Sequence, residues 1–339
     1  MLLKELSVRN YRPFTESTPF QFSDQVSVIA GINGRGKTAL LDAIAFALSR
    51  LLPQISPASG GYRYLDPLDI HHGQEEIQFK LKFNCAGYPV DFAVDYRRGP
   101  RNLHATRLPK TVRQEIRNRY GSDISRSDDA APIAVYYKTD RAGYRRPTKL
   151  PRSLSREQAV AYYGALSGRV VNYRDIMARL HNIIELEGEQ SQQNPNYLGE
   201  RAIEAITQAL SQFLGGFSNL RVETNPLRLL VDKDRKPLDV GQLSDGERSF
   251  LAMVTDLSRR LVLANPRLQN PLHGGGIVLI DELELHLHPT WQREVVEKLR
   301  ATFPEIQCIC TTHSPFIIQS LRAGELITLD PDEFPVEYS

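Results

Sequence analysis

Gly31-Ile-Asn-Gly-Arg-Gly36-Lys37-Thr38 is the stretch on which the reading of this chain turns. It fits the spacing G-x-x-x-x-G-K-[ST]. It lies between the β-branched run Gln25-Val-Ser-Val-Ile-Ala30 and an apolar helical run, Ala39 to Leu52, expected to stop before Pro53. A strand that enters such a loop and leaves it as a helix is built to cradle phosphate. Its glycines let successive backbone N–H groups turn inward, and the helix N-terminus adds positive potential. Lys37 is then expected at the β- and γ-phosphates of a nucleotide, and Thr38 as a ligand of Mg²⁺. Asn33, Gly34, Arg35, Gly36 and Ala39 complete the expected nucleotide contacts.

A second segment answers the first. In Gly276-Ile-Val-Leu-Ile-Asp281-Glu282 an apolar strand ends in two acids, at the edge where α/β sheets bind ligands. Asp281 is expected to hold Mg²⁺, directly or through water, and Glu282 to polarise the attacking water as general base. Alone, an acidic pair after a strand is an ordinary helix start; the glycine-rich loop upstream gives it chemistry. Leu243-Ser244-Asp245-Gly246-Glu247 opens a helix and has two readings. One is a capping box of Ser244 and Glu247; the other is a helix N-terminus whose Ser244 hydroxyl and Gly246 N–H face a phosphate. Thr311-Thr-His313-Ser-Pro315 follows the next apolar strand, and its histidine is placed to meet a γ-phosphate or the attacking water.

The four segments in this order resemble the ABC-type ATPases, and within them the SMC/RecF-like branch. The N-G-x-G-K-T form of the loop and the opening Leu6-Ser-Val-Arg-Asn-Tyr-Arg12-Pro-Phe14 favour that branch over transporter subunits. Leu279-Ile-Asp-Glu-Leu-Glu-Leu-His-Leu-His-Pro289-Thr-Trp-Gln292 and Ala134-Val-Tyr-Tyr-Lys-Thr-Asp-Arg141 are similar to compact prokaryotic AAA-type ATPases of anti-phage systems, the Septu PtuA-like and retron-linked ones. The resemblance implies an α/β, ABC-type head with a mixed sheet, formed by 1–95 and 225–339, and a basic and helical insert, 96–224, acting as a lid. It implies ATP and Mg²⁺ as ligands and catalytic roles for Glu282 and His313. It also implies that Ser244 and Gly246 contact the nucleotide of a second copy, and that Arg12 contacts phosphate. The implied function is an ATPase that dimerises on ATP, as a homodimer or larger assembly, and regulates an effector, a nuclease of anti-phage defence. A RecF-like repair or DNA-binding ATPase is the alternative, and a transporter subunit ranks below both. The Q-loop glutamine of the family stays open: Gln74, Gln78 and Asp69-Ile-His-His72 all compete for it.

Working outward, the 339 residues are 41% apolar and 24% charged with a net charge of +2, enough for a full core and against disorder. Three cysteines cannot build a disulfide framework, and Cys308 and Cys310 sit in an apolar run without metal-ligand spacing. Buried thiols of a reduced, cytoplasmic protein are expected. No run of 18 or more apolar residues suggests a membrane span, and Met1-Leu-Leu-Lys-Glu-Leu6 reads as a strand opening rather than a signal peptide. Glu76–Asn84 and Val90–Tyr96 alternate like an antiparallel pair, and Leu220–Asp232 reads as a strand or hairpin. Between 95 and 156, sixteen Lys and Arg face six acids, a local charge of +10. With Tyr96, Tyr120, Tyr136, Tyr137 and Tyr144 interleaved, this stretch is read either as a track for a nucleic-acid backbone or as a solvated or protein-docking surface.

Overall fold

The computed structural model describes residues 1–56, 63–98, 103–105, 108–120, 131–139, 158–168, 171, 173–178, 180–181, 198–265 and 267–329. In chain order the strands are β1 (Leu2–Arg9), β2 (Thr18–Gln21), β3 (Val26–Ala30), β4 (Glu76–Cys85), β5 (Tyr88–Arg98), β6 (Leu103–Ala105), β7 (Ile133–Tyr137), β8 (Phe217–Thr224), β9 (Leu227–Lys233), β10 (Lys236–Asp239), β11 (Gly276–Ile280), β12 (Ile306–Thr312) and β13 (Leu326–Thr328). The helices used below are α1 (Lys37–Ile55), α2 (Lys110–Tyr120), α3 (Leu198–Phe213), α4 (Asp245–Ala264), α5 (Pro289–Thr302) and α6 (Pro315–Gln319).

One sheet, ordered β13-β3-β12-β11-β7, is parallel throughout. β3, β7, β11 and β12 are buried at every position, as near-continuous Val, Ile, Ala and Tyr runs require when both sheet faces are covered. Its register sets Ala30 beside Thr312, and Ile280 beside both Cys310 and Tyr137, so four strands end along one edge. A second, antiparallel sheet is ordered β2-β1-β4-β5-β6; the expected antiparallel pair is β4–β5, with Ile77 opposite Tyr96 and Leu81 opposite Phe92. The expected hairpin is β8–β9, extended by β10 into a three-stranded sheet.

α1 lies between the first two sheets. Phe46 packs on Phe79 of β4 and Tyr96 of β5 at ring-centroid distances of 5.7 and 5.1 Å, and the helix also contacts β12 and β7. Contrary to the stop expected before Pro53, α1 runs through that proline to Ile55. A proline so close to the end removes a single ladder hydrogen bond, and the buried Leu51, Leu52 and Ile55 hold the last turn to the core. By length and composition α1 is apolar enough to cross a membrane, but 83% of that window is buried inside the fold.

β7 comes from inside the segment 96–224, yet it bonds β11 as the edge of the parallel sheet. The basic stretch is correspondingly changed. Arg101, Arg107, Arg126, Arg141, Arg145, Arg146, Lys149, Arg152, Arg156 and Tyr144 lie outside the described residues. Tyr96, Tyr120, Tyr136 and Tyr137 are buried at 9% exposure or less, so they cannot stack on nucleic-acid bases. Aromatic interleaving in the sequence here reflects strand and helix faces turned to the core.

Cys85, Cys308 and Cys310 are free and buried, as expected. Burial raises the Cys85 thiol and pushes that of Cys308 up to about 12. The prediction is that a thiol reagent at about pH 8, near the ordinary cysteine pKa, modifies none of the three in the native chain and all three in denaturant. Rapid native labelling of Cys308 would contradict the packing of β12 against β3 and β11.

Candidate nucleotide-binding site

The loop between β3 and α1 is shaped by two left-handed glycines. Gly34 has φ +84° with open space where a Cβ would stand. Gly36 is the N-cap of α1 at φ +99°, and a Cβ there would come within 2.7 Å of Pro13 Cγ and 2.9 Å of Phe14 Cζ. Gly36 is therefore required twice, by the backbone and by the close approach of the 11–14 turn. Asn33, Gly34, Arg35 and Thr38 are exposed, while Ala39 is buried at the root of the helix. Lys37 is buried, and its Nζ donates to the carbonyls of Gly31 at 2.7 Å and Ile32 at 2.9 Å, so the ammonium lies across the loop it closes.

Thr38 Oγ1 donates to Asp281 Oδ2 at 3.0 Å, joining the start of α1 to the end of β11. Asp281 also accepts from Thr311 Oγ1 on β12 at 2.6 Å, and its N–H donates to the Tyr137 carbonyl on β7 at 2.9 Å. Glu282, immediately after, sits at φ +48°, costly for a residue with a side chain. Two bonds hold it there: its N–H donates to Thr311 Oγ1 at 2.7 Å, and the next N–H, of Leu283, donates to the Thr311 carbonyl at 2.9 Å. Thr311 thus orients both acids. The sequence reading passed over it because a threonine inside an apolar strand looks like β-propensity alone.

Among the described residues no group of three His, Cys, Asp or Glu side chains could hold a metal ion by itself. The oxygens of Thr38 and Asp281 instead suit a hard cation that keeps phosphate and water ligands, as Mg²⁺ does.

Arg12, expected at phosphate, is paired with two carboxylates while its side chain stays 34% exposed. Its Nε donates to Asp69 at 2.8 Å and its Nη1 to Asp42 at 2.9 Å. Asp42 lies one helical turn beyond Thr38 and also pairs with Arg63 at 2.8 Å and Lys138 at 3.4 Å. Burial pushes the Asp42 carboxyl up, but the charges of Arg63, Lys138 and Arg12 outweigh it and hold it below the usual range. No sequence motif pointed to this cluster; i to i+4 spacing from Thr38 was the available signal. Of the competing Q-loop positions, Gln78 donates to Asp95 across β4–β5 at 2.9 Å and Asp69 is taken by Arg12, while Gln74 is exposed. The strand that ends beside Asp281 is β7, followed by Lys138 and Thr139.

Ser244 caps α4 in a complete capping box with Glu247. Its N–H and hydroxyl both donate to Glu247 Oε2, at 3.0 and 2.9 Å, and Lys233 donates to the other oxygen at 2.6 Å. Burial raises the Glu247 carboxyl, but these hydrogen bonds prevail and lower it. Both sequence readings of this segment remain compatible, because Ser244 and Asp245 are exposed. Gly246 is buried against the 286 peptide, where a Cβ would meet the His286 carbonyl at 2.3 Å. His313 is exposed at the end of β12, with its backbone N–H held by Glu284.

Residues 26–319 match a family described as "AAA domain, putative AbiEii toxin, Type IV TA system". Over 95% of its length the chain is 27% identical to "Retron Ec83 probable ATPase" of Escherichia coli, covering 70% of that protein. It is 25% identical to "Retron Vc95 probable ATPase" of Vibrio cholerae serotype O1 biovar El Tor over 96% of this chain and 72% of that one. A shorter stretch, 34% of the chain, is 48% identical to "Septu protein PtuA" of Bacillus thuringiensis, covering 30% of it. Among solved structures, the SMC head domain from Thermotoga maritima superposes with a TM-score of 0.51 at 17% identity, covering 97% of this chain and 94% of that one. An SmcHead bound to the C-winged helix domain of ScpA gives 0.54 at 15% identity, covering 97% of this chain and 94% of that one. At these identities the two heads show the fold alone.

Thr311→Val keeps the shape of a fully buried side chain but removes a donor to Asp281 and the acceptor for the Glu282 N–H. The expected loss is about 1–3 kcal/mol of unfolding free energy, the cost of orphaning buried polar groups. Denaturant titration measures it, and a loss near zero would remove Thr311 from this role.

Proposed function

The chain belongs to that AAA domain family, and on this premise we propose that it is an SMC-like ATPase of anti-phage defence whose two copies close on ATP and so regulate a partner effector, a nuclease. The observation that carries the reading is the convergence of Thr38 and Thr311 on Asp281, beside a lysine already folded into its loop. ATP hydrolysis accords with relatives whose names include "probable ATPase". The defence setting and the effector come from the likeness to the retron and Septu proteins.

In this reading Lys37 leaves the Gly31 and Ile32 carbonyls for the β- and γ-phosphates, which offer it a stronger, charge-assisted acceptor. The N–H groups of 33–38 and the start of α1 receive phosphate oxygens. Thr38 and Asp281 would hold Mg²⁺, which would supply positive charge for the phosphate oxygens. Glu282 takes a proton from the attacking water, and His313 lies one strand away to hydrogen-bond the γ-phosphate. The exposed cap of α4 presents Ser244 to a second copy's nucleotide. Arg12, already paired with two carboxylates, acts through Asp42 on the α1 helix rather than as a free phosphate ligand.

Glu282→Gln is expected to bind ATP normally and to lose about 10²–10⁴-fold in hydrolysis, the range for a missing general base. Turnover within about threefold of the unaltered chain would take Glu282 out of that role. Lys37→Ala should lose ATP affinity itself in a binding titration.

The composite site is tested by complementation. Ser244→Arg and Lys37→Ala chains are each expected to be inactive, while a mixture with confirmed subunit exchange regains phosphate release. Both lesions then fall on one site and leave the other whole, giving up to about half the activity per dimer if the two sites are independent. An ATP-dependent crosslink between cysteines placed beside Ser244 of one copy and Gly34 of the other supports the sandwich; crosslinks only within a chain end it.

A further inference from the structure

Glu284 is absorbed by none of the roles above, yet it makes the bonds that decide where His313 stands. It lies two residues beyond Glu282, in the turn that carries the chain from β11 toward α5. Its Oε1 accepts the backbone N–H of His313 at 2.5 Å, and its Oε2 accepts the Thr312 hydroxyl at 2.6 Å. The carboxylate therefore grips two successive residues at the end of β12, one by backbone and one by side chain. Both bonds end on the two oxygens of one carboxyl group.

The same turn reaches the 312–314 segment by a second route. Gln292 on α5 donates to the Leu287 carbonyl at 2.8 Å and accepts from the Ser314 hydroxyl at 2.6 Å. Ser314 in turn caps α6 and donates its N–H to Thr312 Oγ1 at 3.0 Å. His313 is thus flanked on both sides by residues tied to the 284–287 turn, while its own side chain stays exposed. The arrangement holds the backbone and leaves the imidazole to the solvent face. Structural economy does not require it: an exposed surface turn can satisfy one N–H with water.

We infer that Glu284 is a positioning residue for ATP hydrolysis: its carboxylate fixes the His313 backbone relative to the Glu282 turn, and so sets the angle at which the imidazole meets the γ-phosphate. This rests on the proposed role of His313. Two consequences separate Glu284 from a general structural acid. The γ-phosphate contact matters most as charge develops, so loss of Glu284 falls on kcat and spares KM. A residue that acts through His313 also has nothing left to do once the imidazole is gone.

The test is a double-mutant cycle on the full chain with Glu284→Ala, Glu284→Gln, His313→Ala and the Glu284→Ala/His313→Ala pair. Phosphate release gives kcat and KM, and hydrogen exchange follows the His313 amide. Glu284→Ala is expected to speed exchange at that amide and to lower kcat by about 10–100-fold, the range for groups that orient a working side chain, with KM for ATP within about twofold. Glu284→Gln falls between, because the amide oxygen keeps one of the two donors and the NH₂ opposes the other. The double variant is expected to be no slower than His313→Ala alone.

Multiplying effects in the double variant, or an unchanged His313 amide in Glu284→Ala, would overturn the positioning role while leaving His313 as assigned. A normal kcat in His313→Ala would instead overturn the histidine's role, and the inference with it. If Glu284→Ala fails to fold, Glu284→Gln and Thr312→Val carry the same cycle, since each removes one of the two bonds.

Discussion

Asp281 accepts hydrogen bonds from hydroxyls on α1 and β12 and gives its own N–H to the end of β7, while standing at the end of β11. Two elements distant in sequence, α1 and β12, are thereby fixed to its carboxylate and a third, β7, to its backbone, at a residue that is 4% exposed. A buried carboxylate is costly to desolvate unless its lone pairs are filled, so this position demands its neighbours: a threonine opening α1, a threonine late in β12, and a strand ending level with it. The glycines of the 31–36 loop, the strained backbone at Glu282 and the parallel order of the sheet all bring these partners to one edge.

The rest of the fold supports that edge. The strands of the parallel sheet are buried throughout, with α1 packed against β12 and β7 and α4 packed against β7. A largely buried ion triad, Asp256 with Arg259 and Arg260, joins α4 to β7 through the Tyr137 hydroxyl. Burial pushes the Asp256 carboxyl up, but the two guanidiniums overcome it and hold it far below its ordinary value. Tyr137 therefore serves twice, with its carbonyl toward Asp281 and its hydroxyl toward Asp256. It connects the helix that carries Ser244 to the strand edge that carries the acids.

Much of this was legible in advance. The glycine-rich loop, the apolar strand ending in Asp-Glu, the capping box and the Thr-His segment could each be read because local chemistry alone explains their spacing. The hairpins were legible from alternation. The end of α1 was misjudged because a proline's local cost was weighed without the core that holds the last turn. The core positions of Tyr96, Tyr120, Tyr136 and Tyr137 in the basic stretch were not legible because burial is invisible to composition. Glu284 and Thr311 were missed because their partners lie 29 and 30 residues away in sequence.

Local sequence is enough to specify a glycine-rich loop between a strand and a helix, and an apolar strand that ends in an acid pair. Glycine conformational freedom and strand periodicity are properties of short segments, and short segments suffice to reveal them. Which hydroxyls orient Asp281, which carboxylates pair with Arg12 and which strand ends beside the acids are set by folding. Those are contacts between segments tens to hundreds of residues apart, set by sheet order and register, and no local pattern encodes the partner of a polar atom that finds it only when the core closes.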